Sequence, residues 1–207
     1  MLYVVIRFMF LVFYKIFFRL SAAGRERIPT TGAFIIASNH ASYLDPPIIG
    51  VCCPRKLSYF AKEELFYNSF FAWFIRRLQA FPVKTRSADL RSVRFALAEL
   101  KASKGVLIFP EGARTWDGSL GKPLGGIGLI AAKSKAPIVP AYIQGSFKAL
   151  RRGTRIIRPT KIKVYFGQPL EANDLTSEKK GVDLYRYIAQ RVMQKIEELK
   201  VKYENNP

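Results

Sequence analysis

Residues 33–47, Ala33-Phe-Ile-Ile-Ala-Ser-Asn-His-Ala-Ser-Tyr-Leu-Asp-Pro-Pro47, set a short apolar run against a polar loop and then a pair of prolines. An apolar run of that length bounded by turn-forming residues reads as a strand buried on both faces. Asp-Pro-Pro reads as a helix start, with Asp45 as N-cap and proline at the first helical position, because the residue before a proline avoids the helical region. The same strand pattern returns at Gly105–Phe109 and Pro137–Ile143, and Lys161–Phe166 supplies a later strand. Between these runs lie helical stretches. Ala88–Lys104 carries Leu90, Val93, Ala96, Leu97 and Leu100 on one face, with Ser87 or Asp89 as caps and Gly105 as the stop; Ile127–Lys135 and Leu184–Tyr203 are similar. Strands alternating with helices predict a single α/β domain over residues 25–207, with a central, mostly parallel or mixed sheet flanked by helices.

The chain has 207 residues, 34 Lys plus Arg against 15 Asp plus Glu, and 49% hydrophobic residues. That apolar content excludes a disordered chain. Cys52 and Cys53 are adjacent and His40 is the sole histidine, so neither a disulfide scaffold nor a zinc cluster is available, and no metal is expected. A formal charge of +19 calls for an anionic partner: nucleic acid, a membrane surface or an anionic substrate. The basic excess is concentrated. No acid occurs from Gly118 to Leu170, where Lys122, Lys133, Lys135, Lys148, Arg151, Arg152, Arg155, Arg158, Lys161 and Lys163 fall.

Residues 1–20, MLYVVIRFMFLVFYKIFFRL, are apolar except for Arg7, Lys15 and Arg19. At 100° per residue these three fall at about 0°, 80° and 120°, so the charges share one side of a helix. Spanning a bilayer would bring Arg7 or Lys15 toward hydrocarbon, at about 2.5–3.5 kcal/mol each. Residues 1–24 are therefore expected to form an amphipathic, membrane-associated segment lying in the interface.

His40 directly follows the first strand, where open α/β sheets place ligands, and a general base is useful there. Asp45 is five residues on, and the turn at Pro46 lets its carboxylate accept from one imidazole nitrogen while the other faces solvent. Glu111-Gly-Ala-Arg114 follows the next strand in the same way, and an arginine in a glycine-bearing loop suits a phosphate; a Glu111–Arg114 ion pair is the plainer alternative. The glycines from Gly118 to Gly128 fail both nucleotide motifs: Lys122 precedes Pro123 rather than Ser or Thr, and Gly126-x-Gly128 lacks a strand before it. A mobile loop or an anion-binding nest is left open there. No Gly-x-Ser-x-Gly elbow occurs and the cysteines have no second histidine to activate them, which disfavours a covalent intermediate.

Asn39-His40 with Asp45, Phe109-Pro-Glu-Gly-Ala-Arg114, Lys62-Glu-Glu-Leu65, Phe81-Pro-Val83 and Ile138-Val-Pro140 together resemble the glycerolipid acyltransferases of the 1-acyl-sn-glycerol-3-phosphate acyltransferase type, over nearly the whole chain. The resemblance implies an O-acyltransferase in phospholipid biosynthesis that moves an acyl chain from acyl-CoA or acyl carrier protein to the sn-2 hydroxyl of lysophosphatidic acid, giving phosphatidic acid without an acyl-enzyme. It implies His40 as base, Asp45 as its orienter, and a phosphate-binding set of Arg114, Lys62, Glu111, Gly112 and Arg86, with Glu111 shaping the pocket. Where the family often has arginine directly after Phe-Pro-Val-x, this chain has Thr85, so either Arg86 substitutes or the contact is missing. No cofactor is expected beyond the acyl co-substrate. The expected partners are an anionic phospholipid membrane and the acyl donor, with the protein peripheral on the cytoplasmic face of the inner membrane. A different acceptor, glycerol 3-phosphate or a lyso-aminolipid, stays open. From other classes, a basic nucleic-acid-binding module lacks any recognition motif, and a membrane scaffold without chemistry would not need His40, Asp45 and Arg114.

Overall fold

The computed structural model describes residues 2–83, 90–175 and 178–204. Seven strands form one mixed sheet in the order β1-β7-β6-β2-β5-β3-β4. These are β1 (Ser21–Ala23), β2 (Phe34–Ser38), β3 (Leu57–Lys62), β4 (Ala80–Val83), β5 (Gly105–Ile108), β6 (Ile138–Gln144) and β7 (Lys163–Phe166). Every pairing is parallel except β6 with β7. The helices are α1 (Leu2–Phe18), α2 (Asp45–Cys52), α3 (Ser69–Arg77), α4 (Leu90–Lys101), α5 (Gly126–Ser134), α6 (Ser146–Ala149) and α7 (Gly181–Glu204).

Side-chain alternation splits the core into two layers. Ile35 and Ala37 of β2 and Val106 and Ile108 of β5 join α4, α5 and α7 on one face. Phe34, Ile36 and Leu107 join α1 and α2 on the other. Strands covered on both faces carry no polar alternation, and this is why β2, β5 and β6 were legible as unbroken apolar runs. Three strands were not. β1, β3 and β4 lie toward the sheet edges; β1 and β3 mix apolar with polar residues, and β4 is a four-residue run interrupted by Pro82 and only half-buried. The expected helices form within a few residues of their predicted bounds where those are described; Ala88 and the caps Ser87 and Asp89 lie outside the described residues, and Leu90 stays exposed instead of joining the buried face of α4.

Two local expectations change. Asp45 is the first residue of α2 and Leu44 its N-cap, so the carboxylate does not cap the helix; it turns back toward residues 41 and 42. Gly126 and Gly128 belong to the first turn of α5 and not to a nest. A Cβ on Gly128 would collide with the backbone of Tyr185 in α7, so this glycine sets how closely the two helices pack.

In α1, Tyr14 and Phe18 are buried against the α2 side of the sheet. Arg7 is turned inward as well: its guanidinium donates to the carbonyls of Val51 and Cys53 at the end of α2, where the helix dipole favours a cation. The shared basic side drawn on the helical wheel is not kept: Arg7 faces protein with Tyr14 and Phe18, Lys15 is exposed, and Arg19 follows the end of α1 at φ 48°. The opposite side presents Val5, Phe8, Met9, Val12, Phe13 and Ile16, all exposed. No helix among the described residues is long and apolar enough to cross a membrane.

Gly128→Ala should destabilise the protein. Overpacking against a rigid backbone costs about 1–3 kcal/mol, against roughly 1 kcal/mol gained by removing a helical glycine. A thermal melt should show Tm lower by a few degrees, about 2–4 °C per kcal/mol at this size; an unchanged or higher Tm would contradict the close α5–α7 approach.

Candidate active site

The loops after β2 and β5, neighbouring parallel strands, emerge side by side at the carboxyl end of the sheet. They are bound together there. The Thr115 N–H donates to the His40 carbonyl at 2.9 Å, and the His40 N–H donates to Glu111 Oε1 at 3.0 Å. Asn39 fixes the other flank by exchanging two hydrogen bonds with the backbone of Ile143 in β6.

Asp45 is fully buried. Its Oδ2 accepts the N–H groups of Ala41 at 2.6 Å and Ser42 at 2.7 Å and lies 2.9 Å from His40 Nδ1. Two amide donors and one imidazole hold a carboxylate whose burial alone would be costly. The imidazole is fixed in a second way, stacked on Phe109 at 3.9 Å between ring centroids and 15° from parallel. The turn expected at Pro46 therefore does bring Asp45 onto one ring nitrogen of His40. Nε2 has no protein partner among the described residues.

Glu111 braces the loops. Its two oxygens accept from the His40 and Gly121 N–H groups, each at 3.0 Å. The Glu111–Arg114 ion pair is not formed; the arginine turns away, its guanidinium carbon 3.3 Å above the Tyr43 ring, and its buried Nη1 has no hydrogen-bond partner. Burial holds the Glu111 carboxyl above its usual range and the Arg114 guanidinium below its own. Gly112, at φ 68°, lies in the left-handed region, and a Cβ there would sit 2.5 Å from Leu124 Cδ1.

His40, Lys62, Gly112 and Arg114 line one cavity of about 650 Å³. Its lining is mostly apolar, and includes Pro46, Gly50 and Val51 of α2, Phe71, Phe74 and Ile75 of α3, and Ile127 and Ile130 of α5. Lys62, at the end of β3, also approaches Glu64 at 3.8 Å. Arg86 lies outside the described residues. Cys52 and Cys53 are buried, which pushes their thiols up to about 12 and about 11, far from a reactive thiolate. Among the described residues, no group of three or more His, Cys, Asp or Glu is placed to hold a metal ion.

Four contributors had not been singled out from sequence: Tyr43, Phe109, Thr115 and Arg152. Tyr43 and Phe109 sit inside the two quoted motifs, and Arg152 lay in the acid-free basic stretch. Nothing in residue order indicates that Arg152 reaches Arg114, whose carbonyl it meets at 2.6 Å.

Residues 19–144 match the family model described as Acyltransferase. The 1-acyl-sn-glycerol-3-phosphate acyltransferase of Bacillus subtilis (strain 168) is 33% identical over 174 residues, spanning 82% of this chain and 84% of its own. The enzyme of the same name from Streptococcus pneumoniae is 25% identical over 185 residues, 87% of this chain and 67% of its own. The crystal structure of the 1-acyl-sn-glycerophosphate (LPA) acyltransferase PlsC from Thermotoga maritima superposes with a TM-score of 0.72 at 30% identity, covering 87% of this chain and 72% of that one. The chain belongs to the acyltransferase family.

The raised Glu111 pKa has a definite sign. Folding makes this carboxyl harder to ionise, so the native state binds more protons than the unfolded state between the two pKa values, and the contribution of Glu111 to stability is lost as pH rises from about 4.3, the unperturbed value, through the folded value. Glu111→Gln removes that titration. The Tm difference, variant minus wild type, should become more positive as pH rises from about 4 to about 7; a pH-independent difference would contradict the assignment.

Proposed function

We propose that the protein transfers an acyl chain from a thioester, acyl-CoA or acyl carrier protein, to the sn-2 hydroxyl of 1-acyl-sn-glycerol 3-phosphate, giving phosphatidic acid. The acceptor is supported by the relatives, which are 1-acyl-sn-glycerol-3-phosphate acyltransferases. The observation that carries the chemistry is the contact of His40 Nδ1 with the buried Asp45, which leaves Nε2 for a substrate in a cavity that Arg114 also lines.

In this mechanism Asp45 accepts the Nδ1–H bond, so the lone pair is on Nε2. Nε2 takes the proton of the acceptor hydroxyl as its oxygen attacks the thioester carbonyl carbon. The tetrahedral oxyanion then collapses, the C–S bond breaks, and the departing thiolate takes the proton back from the imidazolium. No acyl-enzyme is required, in keeping with the buried, weakly acidic thiols. Arg114 and Lys62 hold the acceptor phosphate, and the apolar lining takes an acyl chain. Docking is peripheral, through the exposed apolar face of α1.

Thiol release from acyl-CoA and from acyl carrier protein, with and without lysophosphatidic acid, tests this. Wild type should show acceptor-dependent release, and His40→Ala should lose about 10²–10⁴-fold, the usual contribution of a positioned base. Acceptor-dependent release that survives in folded His40→Ala protein would refute the mechanism. Flotation with anionic vesicles checks the docking surface. Val12→Glu with Ile16→Glu should leave most protein unbound, since each change puts a charge on the inserted face; undiminished flotation would exclude α1 as the anchor.

A further inference from the structure

Arg152 follows α6 and lines the same cavity as His40 and Arg114. Its Nη1 donates to the Arg114 carbonyl at 2.6 Å, and its guanidinium carbon lies 3.9 Å above the exposed Trp116 ring. Arg114 is held alike on Tyr43, with Nη1 buried and unpartnered. Among the described residues, neither guanidinium has a carboxylate within ion-pair distance. Each rests on an aromatic face, which orients a planar cation without neutralising it. Two neighbouring guanidinium groups, one of them partly desolvated, repel unless an anion comes between them.

We propose that Arg152 is a second guanidinium of the acceptor-phosphate site and makes that site select a phosphate monoester over a phosphodiester. The proposal rests on the acyltransferase reading above and deepens it. A monoester offers three terminal oxygens and a charge of about −1.5 to −2, whereas a diester offers two oxygens and a single charge. Arg152 commits Nη1 to the Arg114 carbonyl and keeps Nε and Nη2 for a ligand. With Arg114 engaging one pair of oxygens, the third terminal oxygen of a monoester is the one left for Arg152. The 3′-phosphate of coenzyme A is a monoester too; the contact of Arg152 with the Arg114 carbonyl, in the cavity that His40 also lines, assigns it to the acceptor headgroup.

The test compares wild type with Arg152→Met and with Arg152→Gln, which keeps a donor for the Arg114 carbonyl and guards against a folding defect in the first variant. Acceptors are lysophosphatidic acid and its phosphomethyl ester, with acyl-CoA as donor. Both variants should raise KM for lysophosphatidic acid about tenfold or more, as loss of a charge-assisted hydrogen bond predicts. The larger part of the loss should fall on KM rather than kcat, the preference for monoester over diester should shrink, and KM for acyl-CoA should stay within about twofold. An unchanged KM for lysophosphatidic acid, an equal rise for both acceptors, or a rise confined to acyl-CoA would each overturn the assignment. Inorganic phosphate provides an arm that does not depend on turnover: it should protect wild type against thermal unfolding more than Arg152→Gln, and equal protection would overturn the proposal. Wild type that releases no thiol with lysophosphatidic acid would contradict the acceptor, and the phosphate arm would still decide the role of Arg152.

Discussion

A carboxylate with no solvent exposure is the constraint on which this site depends. Burying an unpaired carboxylate costs several kcal/mol, and Asp45 offsets that cost through one oxygen, which accepts two backbone amides and faces His40 Nδ1. Those amides belong to residues 41 and 42, so the same contacts fold the loop between β2 and α2 over the aspartate. The loop in turn sets His40 against Phe109. A shift in Asp45 would therefore move the base, the loop and the start of α2 together.

The sheet makes this arrangement possible at low conformational cost. β2 and β5 are parallel neighbours, so the loop with the base and the loop with the arginine leave the same edge. Glu111 then fastens one to the other through backbone amides and leaves the arginine free of a carboxylate. A direct Glu111–Arg114 pair would have neutralised the charge that an anionic substrate needs. Arg7, which also lines the cavity, ties α1 to the last carbonyls of α2, the helix that Asp45 begins. The element with the exposed apolar face is thus joined directly to the element that orients the base.

Much of this was legible in residue order. The strands covered by helices on both faces announce themselves as apolar runs, and His40, Asp45, Glu111 and Arg114 stand where chemistry-bearing loops should be. Strands β1, β3 and β4 were not legible: β1 and β4 are short edge strands, and β3 beside the edge mixes apolar with polar residues. The inward turn of Arg7 depends on where α2 ends in space, and helical periodicity carries no such information. Arg152 was visible only as one cation among ten, since its partners, Arg114 and Trp116, are more than thirty positions away in the chain. Gly128 stands at the end of a glycine-bearing stretch whose residue order leaves a loop or anion nest open, and also inside the predicted helix Ile127–Lys135; the helix reading holds, and the missing Cβ serves packing against α7.

Because His40 is the only histidine in the chain, its ring nitrogens can be observed without assignment ambiguity. A long-range proton–nitrogen correlation spectrum of the uniformly ¹⁵N-labelled protein, taken with the imidazole neutral, reports which nitrogen carries the proton. The account predicts a protonated Nδ1 and a bare Nε2, with that preference lost in Asp45→Asn. A proton on Nε2 in the wild-type protein would contradict it, because the nitrogen facing the substrate would then have no lone pair to act as base.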